Sequence, residues 1–211
     1  MNIKDLRKEY RTQKLQRQNL LSHPIEQFKK WVEDALNAKV EEPNAMALAT
    51  ATKTGIPSCR IVLLKYINNQ GLVFFTNYES RKACELNENP HAAVTFFWKE
   101  LERQVSIEGI VQKIGRLESN AYFRTRPKGS QLGALASRQS SVIPSRKFLE
   151  AEYKRMKNLY KDQEVPIPSY WGGYCLIPSA FVFWQGRRNR LHDRFRYTLI
   201  DTEWEIERLS P

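Results

Sequence analysis

The hydrophobic period of this chain changes at Ala45, and that change constrains the fold more than any other feature. Before it, Ile25, Phe28, Trp31, Val32 and Leu36 recur at the spacing of one helix face, behind a Pro24 suited to a first helical turn. After it, short apolar runs at 45–51, 59–66, 72–76, 92–98 and 104–114 read as strands. Thr52-Lys53-Thr54-Gly55-Ile56-Pro57 and Asn68-Asn69-Gln70-Gly71 are turn sequences separating the first three. Ser80 is placed to cap a short helix reaching residue 87. Helical patterns follow at 117–125, 131–137 and 146–160, and strands return at 173–177, 181–185, 191–200 and 203–209. Three hairpin-like strands, a short helix and further strands predict a small antiparallel barrel with flanking helices, a mainly β chain of the α+β class. With no repeat or linker in 211 residues, residues 21–211 read as one domain, preceded by a charged, mobile arm at 1–20.

Composition narrows the function classes. Apolar residues make up 41% of the chain, too many for a disordered protein. No run of about 18 apolar residues exists to cross a membrane, and the charged first residues lack the apolar core of a signal peptide. Cys59, Cys84 and Cys175 are far apart and odd in number, so they read as reduced thiols of a cytoplasmic protein. They form no zinc-site spacing, and with three histidines no metal centre is expected. A formal net charge of +11 calls for an anionic partner. The cations recur singly at the ends of apolar runs and form no continuous stripe, which favours small phosphorylated ligands over nucleic acid.

Several segments could hold such ligands. Arg60-Ile61-Val62-Leu63-Leu64-Lys65 carries a cation at each end, and alternation puts the two on opposite faces. The same pattern suits an ordinary barrel strand whose long side chains reach water. Ser80-Arg81-Lys82 opens a helix whose backbone N–H groups favour phosphate, with Thr76-Asn77 just before it. Tyr122 and Arg126 share a helix face, Pro127 ends that helix, and Ser130 is placed to cap the next. The uncharged donors Gln139-Ser140-Ser141 lie in a loop. Near the C-terminus, Trp184-Gln185-Gly186-Arg187-Arg188-Asn189-Arg190-Leu191-His192-Asp193-Arg194 crowds four arginines, a histidine and an aspartate behind an apolar strand. Alternation would place Arg190, His192 and Arg194 on one face, where like charges favour a neutral imidazole. Asp193, on the other face, reads as an ion-pair partner. No Ser-His-Asp set, phosphate-binding GxxxxGKS/T loop or GxGxxG fingerprint is present.

Together these residues resemble the pyridoxamine (pyridoxine) 5′-phosphate oxidase family. The resemblance rests on Trp184-Gln185-x4-Arg190-Leu191-His192-Asp193-Arg194 and on the ordered segments above. Glu102-Arg103-Gln104-Val105, Pro168-Ser169-Tyr170-Trp171-Gly172-Gly173 and the terminal Glu207-Arg208-Leu209-Ser210-Pro211 extend it to nearly the whole chain. It implies an FMN-binding split β-barrel homodimer with FMN at the interface. The implied substrates are pyridoxamine and pyridoxine 5′-phosphate, with O2 as electron acceptor. The flavin contacts it implies are Arg60, Ile61, Val62, Leu63, Leu64, Lys65, Phe75, Thr76, Arg81, Lys82, Gln104, Gln139, Ser140, Trp184 and Arg194. The substrate contacts are Arg7, Tyr10, Lys65, Tyr122, Arg126, Ser130, Arg190, Leu191 and His192, with Arg190 and His192 closest to the chemistry. The sequence departs from the family at Val182, where a glutamate is usual, and at Glu42, where an aspartate is frequent. A split-barrel flavin reductase with another substrate and a basic nucleic-acid-binding barrel are the competing readings.

Overall fold

The computed structural model describes residues 2–6, 9–10 and 13–211. Helix α1 (Pro24–Asn37) starts where His23 Nδ1 accepts a hydrogen bond from the Ile25 N–H at 3.3 Å, satisfying one orphan donor of the first turn. Its buried face comprises Ile25, Phe28, Trp31 and Ala35, whereas Leu36, expected on that face, is 59% exposed. The first four strands are β1 (Ala45–Ala51), β2 (Pro57–Leu63), β3 (Tyr66–Ile67) and β4 (Leu72–Asn77). Helix α2 (Arg81–Glu88) is followed by β5 (His91–Trp98) and β6 (Arg103–Lys113). Three helices come next: α3 (Arg116–Thr125), α4 (Lys128–Ala136) and α5 (Arg146–Leu159). Strands β7 (Trp171–Gln185), β8 (Asp193–Ile200) and β9 (Glu203–Leu209) close the chain.

All pairings are antiparallel, in the order β2-β1-β5-β6-β7-β4-β3, with β8 added on β7 and β9 on β8. The two short runs expected at 173–177 and 181–185 are one strand of 15 residues. Strand β7 pairs along its length with β6, with a register shift between Glu108 and Gly109 opposite Pro178. Proline cannot donate to the ladder, so the irregularity falls where it must. A Cβ on Gly109 would lie 2.0 Å from the Ile177 carbonyl oxygen, so this close crossing admits only glycine. On its other edge β7 pairs with β4 before the irregularity and with β8 after it. The sheet therefore forks there, curling around a core of Phe28, Phe74, Phe96, Trp98, Phe181, Phe183 and Tyr197. Burying each such aromatic is worth roughly 2–3 kcal/mol.

The run at 59–66 breaks after Leu63 because the chain changes partner. The Leu64 N–H donates to the Asn44 carbonyl at 2.9 Å, and the Lys65 N–H to the Val73 carbonyl at 2.8 Å. Leu15 and Leu20 are buried in the main core, and the Leu15 N–H donates to Asp193 Oδ2 at 3.1 Å. Among the described residues no helix is long and apolar enough to cross a membrane.

Candidate active site

One cleft of about 1000 Å³ gathers cations from three parts of the chain. Its lining includes Arg60, Ile61, Val62, Leu63 and Lys65 from β2 and its exit, Phe75 and Thr76 from β4, and Arg81 and Lys82 from α2. Tyr122, Arg126 and Ser130 line it from the α3–α4 corner, and Gln139 and Ser140 from the following loop. Arg60 and Lys65, expected on opposite faces, both line it, because the backbone leaves β2 between them. Leu64 is 7% exposed and packs in the core instead of lining the cleft.

Glu85 organises one end of the cleft. Its Oε2 accepts from Thr50 Oγ1 and Ser58 Oγ, each at 2.5 Å, and lies 3.4 Å from Arg60 Nη2; its Oε1 accepts from Arg81 Nε at 2.8 Å. Burial alone would raise the Glu85 carboxyl; hydrogen bonds from Ser58, Thr50 and Arg81, with the Arg81 charge, outweigh it and hold the group down at about 2. Arg60 Nη1 also donates to Thr50 Oγ1 at 2.6 Å and to the Leu48 carbonyl at 3.1 Å, and Nη2 donates to Ser58 Oγ. The guanidinium is thus locked against the β1–β2 hairpin.

Lys82 is buried beside this lock. Its Nζ donates to Thr76 Oγ1 and Ser80 Oγ, both at 3.2 Å, and to Gln139 Oε1 at 3.4 Å. Burial and then the Arg60 charge lower its ammonium to about 8, with Glu85 opposing. Ser80 occupies the N-cap of α2, yet its hydroxyl donates back to the Asn77 carbonyl at 2.7 Å and does not cap the helix. The Arg81 N–H donates to Ser140 Oγ at 3.2 Å, fastening the Gln139–Ser140 loop over the helix start.

The other end is built on the α3–α4 corner. Helix α3 stops at Thr125, so Arg126 is extended (φ −72°, ψ 145°) and not on the helix face expected for it beside Tyr122. Pro127 is the N-cap of α4, which starts three residues before the expected 131. Ser130 accordingly lies inside the first turn, its N–H bonded to the Pro127 carbonyl at 2.8 Å, and does not cap the helix. Burial lowers the Arg126 guanidinium, with Tyr122 opposing.

The C-terminal motif lies elsewhere in the chain. Leu191 and His192 line a smaller cleft of about 390 Å³ with Asp193, Arg208 and residues 209–211. The alternation expected from 190 to 194 fails, because Arg188–Arg190 form a 3-10 turn and β8 begins only at Asp193. Asn189 and Arg190 have φ of 56° and 59°. His192 Nδ1 accepts the Arg187 N–H at 3.0 Å, which leaves Nε2 as the protonated nitrogen of a neutral ring. Burial and the Arg190 charge lower its pKa, in keeping with that state. Trp184 pairs with Arg194 across β7 and β8 and lies 4.6 Å from the His192 ring. Tyr10 packs edge-on against both rings, at 5.5 and 5.6 Å. A Cβ on Gly186 would come within 2.8 Å of Tyr10 Cγ, so glycine makes room for that contact. Asp193 pairs with Arg208 at 2.8 Å and Arg187 at 3.7 Å, the structural role expected of it. Gln104 lies opposite Trp184 on β6, and Arg7 lies outside the described residues.

The chain matches the sequence pattern described as pyridoxamine 5′-phosphate oxidase over residues 32–160, and residues 171–211 match that family's C-terminal dimerisation region. The chain belongs to the pyridoxamine 5′-phosphate oxidase family. A pyridoxine/pyridoxamine 5′-phosphate oxidase of Crocosphaera subtropica is 54% identical, with all of both chains covered. PhzG of Burkholderia lata, solved with tetrahydrophenazine-1-carboxylic acid, is 31% identical with a TM-score of 0.90 over 97% of this chain and 100% of that one. A family-related FMN-binding protein of Nostoc punctiforme, 16% identical, shares the fold at a TM-score of 0.71 over 91% of this chain and 100% of that one. The curled antiparallel sheet is the family's split barrel.

Two buried polar networks, one beside the cleft and one away from it, depend on Glu85 and Arg103. Glu85 was visible as a carboxylate four residues after Arg81, an ordinary surface pairing until β1 and β2 enclose it. Arg103, 6% exposed, donates to Asp34 Oδ2 at 2.7 Å and to Gln185 Oε1 at 2.9 Å, tying α1 to the end of β7. Nothing in its sequence neighbourhood marks that role. Among the described residues no group of histidine, cysteine and acidic side chains could hold a metal ion.

Proposed function

We propose that the chain catalyses FMN-dependent oxidation of pyridoxamine and pyridoxine 5′-phosphate to pyridoxal 5′-phosphate. The observation that carries this reading is a single cleft with two separate sets of phosphate donors. Arg60, Arg81, Lys82 and Ser140 form one set, which fits the FMN phosphate: three cations balanced by one buried carboxylate suit a dianion. Lys65, Tyr122, Arg126 and Ser130 form the other, for the substrate phosphate. The buried, unpartnered Arg126 Nη1 supports it, since an uncompensated donor in a cleft favours an anion.

Bound flavin supplies the redox chemistry, accepting the hydride that leaves the substrate C4′, with O2 as final oxidant and H2O2 as by-product. The protein's part is placement. Trp184, Arg194 and Gln104 would complete the flavin site, and Arg190, Leu191 and His192 the substrate site, from a second copy across a homodimer interface. Neutral His192 can donate from Nε2, and Arg190, always protonated, acts through orientation and charge. Residues 21–211 act as one catalytic unit, and Tyr10, packed on Trp184 and His192, adds to the substrate side from the segment before them.

The test is an aerobic assay with pyridoxamine 5′-phosphate and added FMN, following aldehyde and peroxide. Stoichiometric formation of both is expected. Flavin bound without substrate turnover would favour a reductase, and no bound flavin with salt-dependent nucleic-acid binding would overturn the assignment.

Lys82 adds a pH dependence. A phosphate dianion binds the protonated ammonium, so binding at pH above about 8 requires proton uptake. FMN affinity for the apoprotein should be level below that pH and fall by up to ~10-fold per pH unit above it. Fluorescence titrations between pH 7 and 10 would reveal this, and a flat profile would exclude Lys82 as the titrating contact.

A further inference from the structure

Arg126 is enclosed by aromatic rings and not by a carboxylate. Its guanidinium lies over the Trp171 ring at 4.9 Å and over the Phe123 ring at 5.4 Å. Its Nη1 is buried and finds no hydrogen-bond partner among the described residues. The backbone beneath is fixed from both sides, the Arg126 N–H donating to the Phe123 carbonyl at 3.2 Å and Gln131 Nε2 to the Arg126 carbonyl at 2.8 Å.

The Trp171 ring is itself held firmly. It is 6% exposed, stacks on Phe75 at 5.2 Å and meets Phe123 edge-on at 4.9 Å. Phe75 in turn stacks on Tyr122 at 4.0 Å, so the rings form a continuous floor to the cleft. Arg116 donates to the Trp171 carbonyl at 2.8 Å and to the Ile167 and Pro168 carbonyls at 3.1 Å, anchoring the chain that delivers the ring.

The contrast with the other end of the cleft is informative. There Glu85 neutralises part of the charge it positions. An aromatic face attracts a desolvated guanidinium, yet carries no net charge to repel an incoming anion. It also leaves the in-plane N–H donors free, because it engages the flat face of the group.

We propose that Trp171 is a positioning residue that presents Arg126 to the substrate's phosphate, and so sets the KM for phosphorylated substrates. The inference rests on the reading of Arg126 as a phosphate ligand given above.

The experiment compares Trp171→Leu, Trp171→Phe, Arg126→Ala and the double variants as FMN-loaded enzymes. Substrates are pyridoxamine 5′-phosphate and unphosphorylated pyridoxamine, and inorganic phosphate is the competing probe. Trp171→Leu should raise the KM for the phosphorylated substrate by about 10-fold and the phosphate inhibition constant in proportion. Its kcat should stay within about 2-fold, and its FMN affinity and kcat/KM for pyridoxamine should not change. Trp171→Phe should restore most of the loss, and in the Arg126→Ala background Trp171→Leu should add little. Equal losses on both substrates, loss of FMN, or additivity with Arg126→Ala would overturn the proposal and leave Trp171 a packing residue. If the leucine variant does not fold, the phenylalanine cycle decides: coupling to Arg126 supports the proposal, and none overturns it. An Arg126→Ala enzyme with unchanged KM would instead overturn the parent reading of Arg126, on a variant that leaves Trp171 intact.

Discussion

Replacing Glu85 by glutamine is expected to lower the melting temperature of the apoprotein by about 10 °C and its FMN affinity at least ~10-fold. The carboxylate accepts from two hydroxyls and two guanidiniums while 4% exposed. Removing one partner of such a buried set typically costs about 3–5 kcal/mol, which for a chain of this size is a shift of that order. A glutamine amide turns N–H donors toward hydroxyls and guanidiniums that already donate there, releasing Arg60 and Arg81 from the phosphate end. Riboflavin, which has no phosphate, should bind both proteins alike. The sign of the acid response follows from the lowered carboxyl. Its stabilisation is fully present above the ordinary carboxylate range and is lost as pH falls toward about 2. The wild-type advantage measured at pH 7 should therefore shrink through acid melts and vanish near pH 2. Equal melting temperatures at pH 7, or parallel losses for riboflavin and FMN, would refute the assigned role.

Arg190→Lys should reduce kcat/KM by about 100-fold while leaving the yellow cofactor bound. Arg190 is exposed and sits at a φ of 59°, a left-handed conformation that a side chain of this kind seldom adopts without reason. Lysine keeps the charge but lacks the planar fork, and losing two charge-assisted hydrogen bonds amounts to about 3 kcal/mol. FMN titration and steady-state kinetics on the same preparation separate the effects. Unchanged turnover would remove Arg190 from the substrate site.

Local periodicity was enough for most of this architecture. Helix α1, strands β1 and β9 and the antiparallel class follow from apolar spacing and from turns such as Asn68-Asn69-Gln70-Gly71. Misreadings cluster where the backbone changes partner or conformation. Lys65 joins Arg60 because Leu64 and Lys65 bond to different neighbours, a tertiary fact with no local signature. Asn189 and Arg190 escape strand alternation through positive φ, and Pro127 starts α4 early enough to place Ser130 inside the helix. Roles at the site came from the resemblance, since alternation alone names no ligand. The roles of Glu85 and Trp171 had no local signature, because they depend on residues far away in the chain, Arg60 for one and Arg126 for the other.

The 15-residue strand β7 starts beside Arg126 and ends at Trp184-Gln185, on the order of 45 Å of extended chain. On the proposed reading the two ends of this element serve different halves of the site, and among the described residues those halves line separate clefts. Defects at opposite ends should therefore be separable between subunits. Arg126→Ala and Arg190→Ala chains, each nearly inactive alone at low concentrations of phosphorylated substrate, should regain one sound site per hybrid dimer when allowed to exchange partners. Random pairing in a two-fold dimer makes about half the molecules hybrids, so activity should return to about a quarter of wild type. No recovery after verified exchange would mean that both halves act within one subunit.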